Sequence, residues 1–464
     1  MTATLPPTSE EEPRSGASGG AGNDNRAFAS GARVLSIGIA STGLFTFAYL
    51  ATASHVLDRA SYSRISICWA IMFVILSVIY RPIEQLLSRT IADRAARGVR
   101  GHILRAPAVI QASFALLFLV IALALRSTIE HKLFGGSAAL YWILVVGVLA
   151  YAASYFARGW LAGNRRFALY GGLVFLESTS RFMFALAVAV GIASGQAAVG
   201  LGMAVAPFVS LCVIPFAFSR VRDTASSLAG IEVADAAREG PAHGALEEAT
   251  TDLSLRHGAG FAVAVVAIMF SEQTLMNAGV LVVAASAGGS ITSGLAGFVF
   301  NVLLIVRAPL QLFQAVQTSI LPHLAGLEAH ESGAEFHRAI RTTILAIWAF
   351  AGAVAIGLLA IGPLVMTTLL GNKGFQYDRF GLAAVGIGMG LHLTSGTLNQ
   401  ALLARGRARF AAAAWLTAAL AFVLFVATEA NSSAGAQVTR VEVGYCGAAG
   451  LLAAMLWMLY RRFP

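Results

Sequence analysis

Charged residues are scarce in this chain. Asp, Glu, Lys and Arg make up 12% of its 464 residues, whereas 57% are hydrophobic and the mean hydropathy is +0.74. A water-soluble domain has far less apolar material to bury. The scarcity of charge therefore excludes a soluble protein and predicts a polytopic membrane protein.

Cysteine is also scarce, and several catalytic motifs are missing. The three cysteines lie far apart inside apolar segments, which excludes a disulfide framework and a cysteine metal site. His323, His330 and His337 recur every seven residues without a matching set of carboxylates, so we predict no metal site there. The sequence has no P-loop, GxSxG or HExxH motif. We expect no enzyme activity and no cofactor, and an ATP-driven pump only if a partner subunit supplies the ATPase.

An apolar core is missing from the first thirty residues. Residues 1–30 are rich in Pro, Gly, Ser and Glu, which predicts a disordered cytoplasmic tail rather than a signal peptide. The net charge of +9 comes from short basic clusters scattered between apolar runs. This pattern is typical of membrane loops and argues against a nucleic-acid partner.

Twelve apolar runs are long enough to cross a bilayer, which requires about 20 residues for a core of about 30 Å. They cover Ala32 to Ser54, Ser66 to Gln85, Pro107 to Leu125, Ala138 to Ala157, Leu169 to Ala193, Ala197 to Phe218, Gly258 to Ala285, Gly294 to Leu321, Thr342 to Ile361, Gly381 to Leu403, Ala411 to Ala427 and Val441 to Tyr460. The sequence thus predicts an all-α integral membrane protein with about twelve transmembrane helices.

The basic residues also predict an orientation. Of the 32 Lys and Arg residues, 23 fall in the two tails and the even-numbered connections, and 7 fall in the odd-numbered connections. The other two, Arg181 and Arg307, lie deep within spans. Because cytoplasmic loops are enriched in Lys and Arg, we expect both termini in the cytoplasm and place the protein in the cell membrane.

A long polar connection divides the chain into two halves. Residues 219–257 mix both signs of charge and are predicted to be a cytoplasmic linker between six-helix lobes at 31–218 and 258–464. GNRRF at 163–167 is echoed by GRARF at 406–410. A second echo is the i, i+4, i+7 spacing shared by two polar trios, Arg81, Gln85 and Ser88 at the end of span 2, and Arg307, Gln311 and Gln314 in span 8. These echoes favour parallel repeats with a substrate path between the lobes.

Two opposite charges lie near the middle of span 5. Glu177 and Arg181 are four residues apart, so they share one helix face and can form an ion pair. A charge at this depth costs at least about 2.5 kcal/mol, so the face should contact protein or water rather than lipid. One interpretation is a structural pair that clamps span 5 to a neighbour. In the other, Arg181 contacts cargo in a wet cavity while Glu177 orients it or titrates.

Spans 7 and 8 carry a second group of polar residues. Glu272 and Arg307 could form another structural pair. However, Arg307, Gln311 and Gln314 lie along one stripe, which suits a wet surface better than a lipid-facing one. Gln273 and Asn277 add a second polar face to span 7. In span 10, His392 and Asn399 are expected to make interhelical hydrogen bonds, and Gly386, Gly388 and Gly390 are expected to permit close packing.

Four segments carry a family resemblance: RPIEQLLSRTIA at 81–92, YFARGWLAGNRRFALYGGLVFLESTSRF at 155–182, FSEQTLMNAGVL at 270–281 and GLAGFVFNVLLIVRAPLQLFQAVQTSILPHLA at 294–325. They resemble the Wzx-like polysaccharide flippases of the multidrug, oligosaccharidyl-lipid and polysaccharide exporter superfamily. The resemblance covers nearly the whole membrane region. It implies a V-shaped bundle of two lobes that alternates between a cytoplasm-open and an outward-open state.

The resemblance also implies a cargo and a set of contacts. The expected cargo is an oligosaccharide on an undecaprenyl diphosphate carrier, flipped from the inner to the outer leaflet. Its anionic headgroup is expected to contact Arg181, Arg307, Arg81, Gln311, Gln314 and Asn277, with Glu177 and Glu272 as charge partners or ion-coupling groups. Membrane lipids are expected partners, as are glycosyltransferases or a polymerase of the same pathway.

Alternatives to this function remain open. A cation-coupled drug or metabolite antiporter of the same superfamily would bind its ion at Glu177 or Glu272, although each has an arginine as a plausible partner. A membrane scaffold without transport would act through the 219–257 linker. Few cationic residues lie deep in the first half, which ranks peptidoglycan-precursor export below export of another surface glycan.

Overall fold

Helices dominate the structure throughout. The computed structural model describes residues 37–38, 40–96, 104–215, 244–286, 294–307, 309–310, 333–372, 374–428 and 432–462, with the backbone alone at 92–93, 95–96, 244–259 and 333–336. No strand occurs within these ranges. The predicted tail at 1–30, most of the predicted linker (219–243), and Gln311 and Gln314 lie outside the described residues.

Every predicted span contains a helix in the described ranges. Numbered in chain order, the helices are α1 (40–56), α2 (Arg59–Ile75, Leu76–Tyr80 and Arg81–Ala96 in one continuous rod), α3 (Arg105–Ala124), α4 (Ala138–Gly163), α5 (Phe167–Ala189), α6 (Gly195–Ser210), α7 (Gly244–Ser286), α8 (Leu295–Arg307), α9 (Gly333–Leu370), α10 (Arg379–Ala404), α11 (Ala408–Ala427) and α12 (Ala434–Arg462). Ten of these described helices are long and apolar enough to cross a membrane, and α1 and α8 occupy the other two predicted spans. The predicted all-helical membrane fold is confirmed.

The amino-terminal lobe, α1 to α6, is built around α4. This helix packs against α2, α3 and α6, and α5 packs against α6. The lobe interior is aromatic as well as aliphatic: Tyr49 stacks on Trp69 with ring centroids 5.6 Å apart, and Trp69 stacks on Phe73 at 4.3 Å. Because Trp69 and Phe73 also border the space between the lobes, this core forms one wall of the candidate site.

The carboxy-terminal lobe, α7 to α12, is built around α10, which packs against α9 and α12. Glycines on α10 permit this contact. A Cβ atom at Gly388 would lie 2.9 Å from the Tyr445 ring of α12, and one at Gly390 would lie 2.6 Å from Ala351 of α9. Small residues let membrane helices approach closely, so the predicted packing role of these glycines is confirmed.

The two echoed motifs form matching corners between helices. At the α4–α5 corner the N–H of Arg166 donates to the carbonyl of Leu161 at 2.8 Å, and at the α10–α11 corner Arg407 donates to Leu402 at 2.8 Å. The residue before each donor has a left-handed backbone, with φ of 56° at Arg165 and 69° at Gly406. Both corners are therefore Schellman-type helix ends. The structural match pairs Arg165 with Gly406, which shifts the sequence alignment of GNRRF with GRARF by two residues.

Helix α2 changes its winding in the middle of the lobe. It is α-helical over Arg59–Ile75, widens to a π turn over Leu76–Tyr80 and returns to α-helix at Arg81. Pro82 follows the wide turn at once and has no N–H to donate to the turn before it. Such π turns are frequent at functional sites, and this one precedes Arg81 on the wall of the cavity between the lobes.

Four helices, α2, α7, α9 and α12, begin seven or more residues earlier than the sequence predicted. Helix α2 begins at Arg59 rather than at Ser66, because Asp58 accepts hydrogen bonds from the backbone N–H groups of Ala60 and Ser61 at 2.9 and 3.0 Å and so caps the helix. The hydrogen bonds from Ser61 hold the pKa of the Asp58 carboxyl below its ordinary value. Helix α7 begins at Gly244, so its first turns lie within the segment predicted as linker.

Candidate functional site

A cavity of about 360 Å³ lies between the two lobes. Helices α1, α2, α4 and α5 line it on one side, and α7 and α8 line it on the other. The charged and amide side chains along its wall are Arg81, Glu84, Gln85, Arg158, Glu177, Arg181, Glu272, Gln273 and Arg307. Four arginines and three glutamates therefore converge on one space within the membrane, and this cavity is the candidate functional site.

Glu177 joins two of the arginines. Its Oε1 accepts a hydrogen bond from Arg181 Nη2 at 3.1 Å, and its Oε2 accepts from Arg158 Nη2 and from Ser154 Oγ, the latter at 3.2 Å. Arg181 Nη2 also donates to the Tyr151 hydroxyl. The predicted pairing of Glu177 with Arg181 is confirmed. Because Arg158 and Ser154 belong to α4, the same carboxylate also ties α5 to α4.

Arg158 is the residue that sequence reasoning missed. The predicted span 4 ended at Ala157, which counted Arg158 among the cytoplasmic residues, but α4 continues to Gly163 and buries this side chain to 8% exposure. A signal was present: Tyr151, Ser154, Tyr155 and Arg158 follow the i, i+3, i+4, i+7 spacing of one helix face. Among the described residues, the first half thus has one buried arginine more than the sequence predicted, Arg158 beside Arg181.

Glu84 was also missed, and it completes the network on the amino-terminal side. The Tyr170 hydroxyl of α5 donates to Glu84 Oε1 of α2 at 2.8 Å. The backbone of α2 approaches α4 closely here, since a Cβ atom at Gly159 would lie 2.8 Å from the Glu84 carbonyl oxygen. Glu84 is thus held against α4 and α5, on the same wall as Arg158.

On the opposite wall, Arg307 bonds to α7 rather than to Glu272. Its Nη2 donates to the backbone carbonyl of Met276 at 2.9 Å and to Asn277 Oδ1 at 2.8 Å, and its guanidinium lies 4.4 Å from the centre of the Phe300 ring. Of the two interpretations that the sequence left open, the structural pair between Glu272 and Arg307 is not observed, and Arg307 lines the cavity. Asn277, predicted to contact cargo, is buried and accepts a hydrogen bond from Arg307.

Glu272 stands apart from the other carboxylates of the cavity. It lines the wall, yet within the described residues it takes part in no ion pair or hydrogen bond, and the charge that acts on it is that of Arg81. Arg81 likewise lines the cavity, and in the described structure it forms no ion pair or hydrogen bond. Both side chains are therefore available to a ligand or an ion.

Three of the cavity arginines also have N–H groups without a hydrogen-bond acceptor among the described residues. The Nε atoms of Arg158, Arg181 and Arg307 are buried and have no hydrogen-bond partner among the described residues. A buried N–H group without an acceptor costs about 1–3 kcal/mol, more for a charged group, so these guanidinium groups favour an anionic ligand or water beside them. With four arginines against three glutamates, the described wall is electropositive.

The predicted polar pairs of span 10 lie outside this cavity. His392 Nδ1 is 3.0 Å from the Tyr445 hydroxyl of α12, and Asn399 Oδ1 accepts a hydrogen bond from Trp415 Nε1 of α11 at 3.2 Å. Both residues are buried within the carboxy-terminal lobe. The prediction of interhelical hydrogen bonds at these two positions is confirmed.

Comparison with known proteins gives matches of fold but not of sequence. No protein-family model and no curated protein sequence matches the chain. Among solved structures, a multidrug resistance MATE family transporter of the MOP superfamily in an inward-facing conformation has a TM-score of 0.57 at 13% identity, covering 91% of this chain and 94% of its own. The Vibrio cholerae MATE transporter VcmN has a TM-score of 0.57 at 14% identity, covering 95% of this chain and 98% of its own. The chain has the fold of these transporters.

An outward-facing MATE family transporter of the MOP superfamily matches equally well, with a TM-score of 0.57 at 14% identity over 94% of each chain. These similarities confirm the predicted architecture of twelve helices in two lobes. They do not distinguish the Wzx-like flippases from the multidrug transporters, because at such low identity only the fold is shared. The choice of cargo therefore depends on the chemistry of the cavity.

Proposed function

We propose that this protein is a membrane transporter that flips an undecaprenyl-diphosphate-linked oligosaccharide from the inner to the outer leaflet by alternating access. The observation that supports this cargo best is the excess of arginine over glutamate in the cavity between the lobes. A diphosphate is anionic and accepts several hydrogen bonds. Guanidinium groups bind phosphate oxygens in a planar, bidentate geometry.

The cavity arginines have different parts in this proposal. Arg81 makes no ion pair or hydrogen bond in the described structure, so it is the first contact for the diphosphate. Arg158 and Arg181 share Glu177, and the cargo competes with this carboxylate for their donors. Arg307 is held by Met276 and Asn277, and its Nε has no hydrogen-bond partner among the described residues. The competition keeps the diphosphate from binding so tightly that it could not leave.

The remaining cavity wall suits a sugar headgroup. Trp69, Phe73, Tyr151 and Tyr155 border the same space and provide aromatic surface beside the arginines. In this proposal the sugars and diphosphate occupy the cavity while the polyprenyl tail remains in lipid, because an apolar chain makes no favourable interaction with the charged side chains of the cavity. Gln311 and Gln314, which are outside the described residues, would extend the polar stripe of Arg307 along span 8.

A second candidate function is a cation-coupled drug or metabolite antiporter. Glu272 supports it, because this carboxylate faces the cavity without an ion pair or hydrogen bond in the described residues and is free to take a proton or a metal cation. Two of the similar solved structures are described as multidrug resistance transporters. The net positive wall disfavours a cationic drug, but it is compatible with cation-driven transport of an anion.

The orientation and the partners are part of the same proposal. Both termini are placed in the cytoplasm by the distribution of Lys and Arg, and the membrane is taken to be the cell membrane. The glycosyltransferases or polymerase that make and use the glycan are the proposed partners. A scaffold that only recruits such enzymes would function without the cavity charges.

The decisive experiment combines gene deletion with complementation. In deletion cells, lipid-linked oligosaccharides are extracted and identified by mass spectrometry, and their leaflet is determined with an external enzyme. We expect accumulation on the cytoplasmic leaflet, restored to normal by the wild-type gene and by Arg105→Gln, whose exposed side chain begins α3 outside the cavity. Arg81→Gln should restore it poorly at equal protein level.

The other outcomes separate the alternatives. No accumulation, together with drug efflux that depends on an ion gradient and is lost in Glu272→Gln, would replace the flippase with the antiporter. If the glycan accumulates in deletion cells and Arg81→Gln corrects this as well as the wild-type gene does, the cavity charge is not needed for function. That outcome would favour the scaffold.

A further inference from the structure

At one end of the molecule, buried hydrogen bonds cross from one lobe to the other. The Tyr62 hydroxyl of α2 donates to Asn301 Oδ1 of α8 at 2.5 Å. Asn301 Nδ2 in turn lies 3.4 Å from the carbonyl oxygen of Leu370 and 3.3 Å from the hydroxyl of Tyr377, and donates to both. Ser54 Oγ of α1 donates to the same Leu370 carbonyl. Tyr62 and Asn301 are completely buried.

Helices of the two lobes also pack closely against each other at this end. A Cβ atom at Gly297 of α8 would lie 2.9 Å from the Tyr62 ring and 3.2 Å from the Cα atom of Ser63, so α8 packs directly on the Tyr62 ring and on the α2 backbone. The Arg59 guanidinium lies 5.4 Å from the centre of the Phe375 ring, which adds a cation–π contact between the lobes. The lobes are sealed here.

The cavity region contrasts with this seal. Arg81 and Glu272 belong to opposite lobes and line the same cavity, yet neither makes an ion pair or hydrogen bond in the described structure. The predicted orientation puts the sealed end, with the α1–α2 and α9–α10 turns, on the outside of the membrane. The cavity then lies on the cytoplasmic side of the sealed end and would open to the cytoplasm.

We propose that Tyr62 and Asn301, supported by the Leu370 carbonyl and Tyr377, form a latch that holds the outer ends of the two lobes together. Opening the cavity to the outside requires this latch to break. The proposal goes beyond the cargo, since it concerns the conformational equilibrium of the protein and would apply equally to a flippase and to an antiporter.

The chemistry of the latch suits a reversible contact. A neutral hydroxyl and an amide exchange their partner for water when the end opens, so breaking each bond has a net cost of only about 1 kcal/mol. That value corresponds to about a fivefold change in the ratio of open to closed molecules. Asn301 makes three of the bonds, so its loss has a larger effect than loss of the Tyr62 hydroxyl alone.

The test measures the distance between the outer ends directly. Spin labels are placed at His55 and Gln376, which are exposed and flank the sealed end, after the three native cysteines have been replaced. Pulsed electron spin resonance on the full chain in lipid nanodiscs then gives the populations of short and long distances. No cargo is needed, so the result does not depend on whether the proposed function is correct.

Tyr62→Phe removes only the hydroxyl and retains the ring that packs on Gly297. We expect it to raise the ratio of long to short distances about fivefold, and Asn301→Ala to raise it more. The matched control is Tyr141→Phe, which removes a buried hydroxyl that donates to the Ala122 carbonyl at 3.0 Å within the amino-terminal lobe. This control should leave the distances unchanged.

A double variant checks that the two side chains act on each other. If the latch exists, Tyr62→Phe combined with Asn301→Ala opens the outer end little more than Asn301→Ala alone, because the shared bond is lost only once. The proposal is overturned if folded Tyr62→Phe and Asn301→Ala proteins both retain the wild-type distances. It is also overturned if Tyr141→Phe shifts them as far as Tyr62→Phe does.

Discussion

Replacing Glu177 with glutamine should destabilise the protein strongly, because one carboxylate neutralises two buried arginines. Glu177 is 5% exposed, and Arg158 and Arg181 are 8% and 2% exposed. Removing one partner of a buried ion pair leaves an uncompensated charge and costs about 3–5 kcal/mol. We expect Glu177→Gln to lower the free energy of unfolding by about this amount, measured by SDS titration with tryptophan fluorescence in mixed micelles.

The comparison variant is Glu130→Gln, which removes the partner of Arg126 from an i, i+4 pair with N–O distance 3.3 Å. The Arg126 side chain is 50% exposed, so this pair contributes about 0.3–0.5 kcal/mol. In Glu177→Gln both Arg158 and Arg181 lose their carboxylate. The double variant Glu177→Gln, Arg158→Gln removes only one of these two uncompensated charges, so it should regain only part of the stability lost in Glu177→Gln. If Glu177→Gln costs no more than Glu130→Gln, the carboxylate is not holding α4 to α5 and the argument from burial is wrong.

The same variant also bears on the cargo. With Glu177 neutral, Arg158 and Arg181 lose the carboxylate that pairs with them, so undecaprenyl diphosphate should stabilise Glu177→Gln against SDS more than it stabilises the wild type. Equal stabilisation of both proteins would contradict the proposed competition between carboxylate and cargo.

Three further predictions concern single positions. Gly297→Ala should push α8 away from Tyr62 and raise the population of long distances between the spin labels at the outer end. Gly352→Ala, which has nothing within 4 Å of its Cβ position, should leave that population unchanged. If the two variants behave alike, the close fit at Gly297 is refuted. Glu272→Gln should abolish any dependence of transport on an imposed ion gradient in vesicles, and an unchanged dependence would exclude this carboxylate as the coupling group. Trp415→Phe should cost about 1 kcal/mol of stability through the lost hydrogen bond to Asn399, detected by the same SDS titration, and a neutral result would mean that water replaces the indole N–H.

Much of the candidate site could be predicted from residue chemistry alone. Glu177 and Arg181 were identifiable because charge inside an apolar run is expensive and must face protein or water. Their four-residue spacing also predicted their ion pair, which the structure confirms. Glu272 was singled out as another charge inside a span, and Arg81 from its place in the repeated trio and from the family resemblance; both line the cavity.

Other features depend on helix ends and on contacts between distant segments. Arg158 was assigned to a loop because the apolar run stops before it, but hydrogen bonds carry α4 on to Gly163 and bring the side chain to Glu177. For Arg307 the sequence left an ion pair with Glu272 open as one possibility, although the polar stripe favoured a wet surface. The observed partners are a backbone carbonyl and the Asn277 amide, because α7 presents those acceptors at the depth of the guanidinium.

The sequence by itself determined the solvent in which this protein folds. Its apolar runs are long enough to cross a bilayer, and within lipid every backbone polar group must be satisfied inside its own segment, so helices were the available structure. Composition also required that the few deep charges face inward. These conclusions need only local spacing and the cost of burying polar groups.

Only the tertiary structure decided which charges meet and which end of the molecule is closed. Tyr62 and Asn301 are separated by 239 residues and carry no local pattern, yet they share a hydrogen bond. Helix packing sets such contacts through the close approach at Gly297, which depends on both lobes at once. The same packing gathers four arginines and three glutamates into one cavity, and their balance is what gives the proposed cargo its chemical basis.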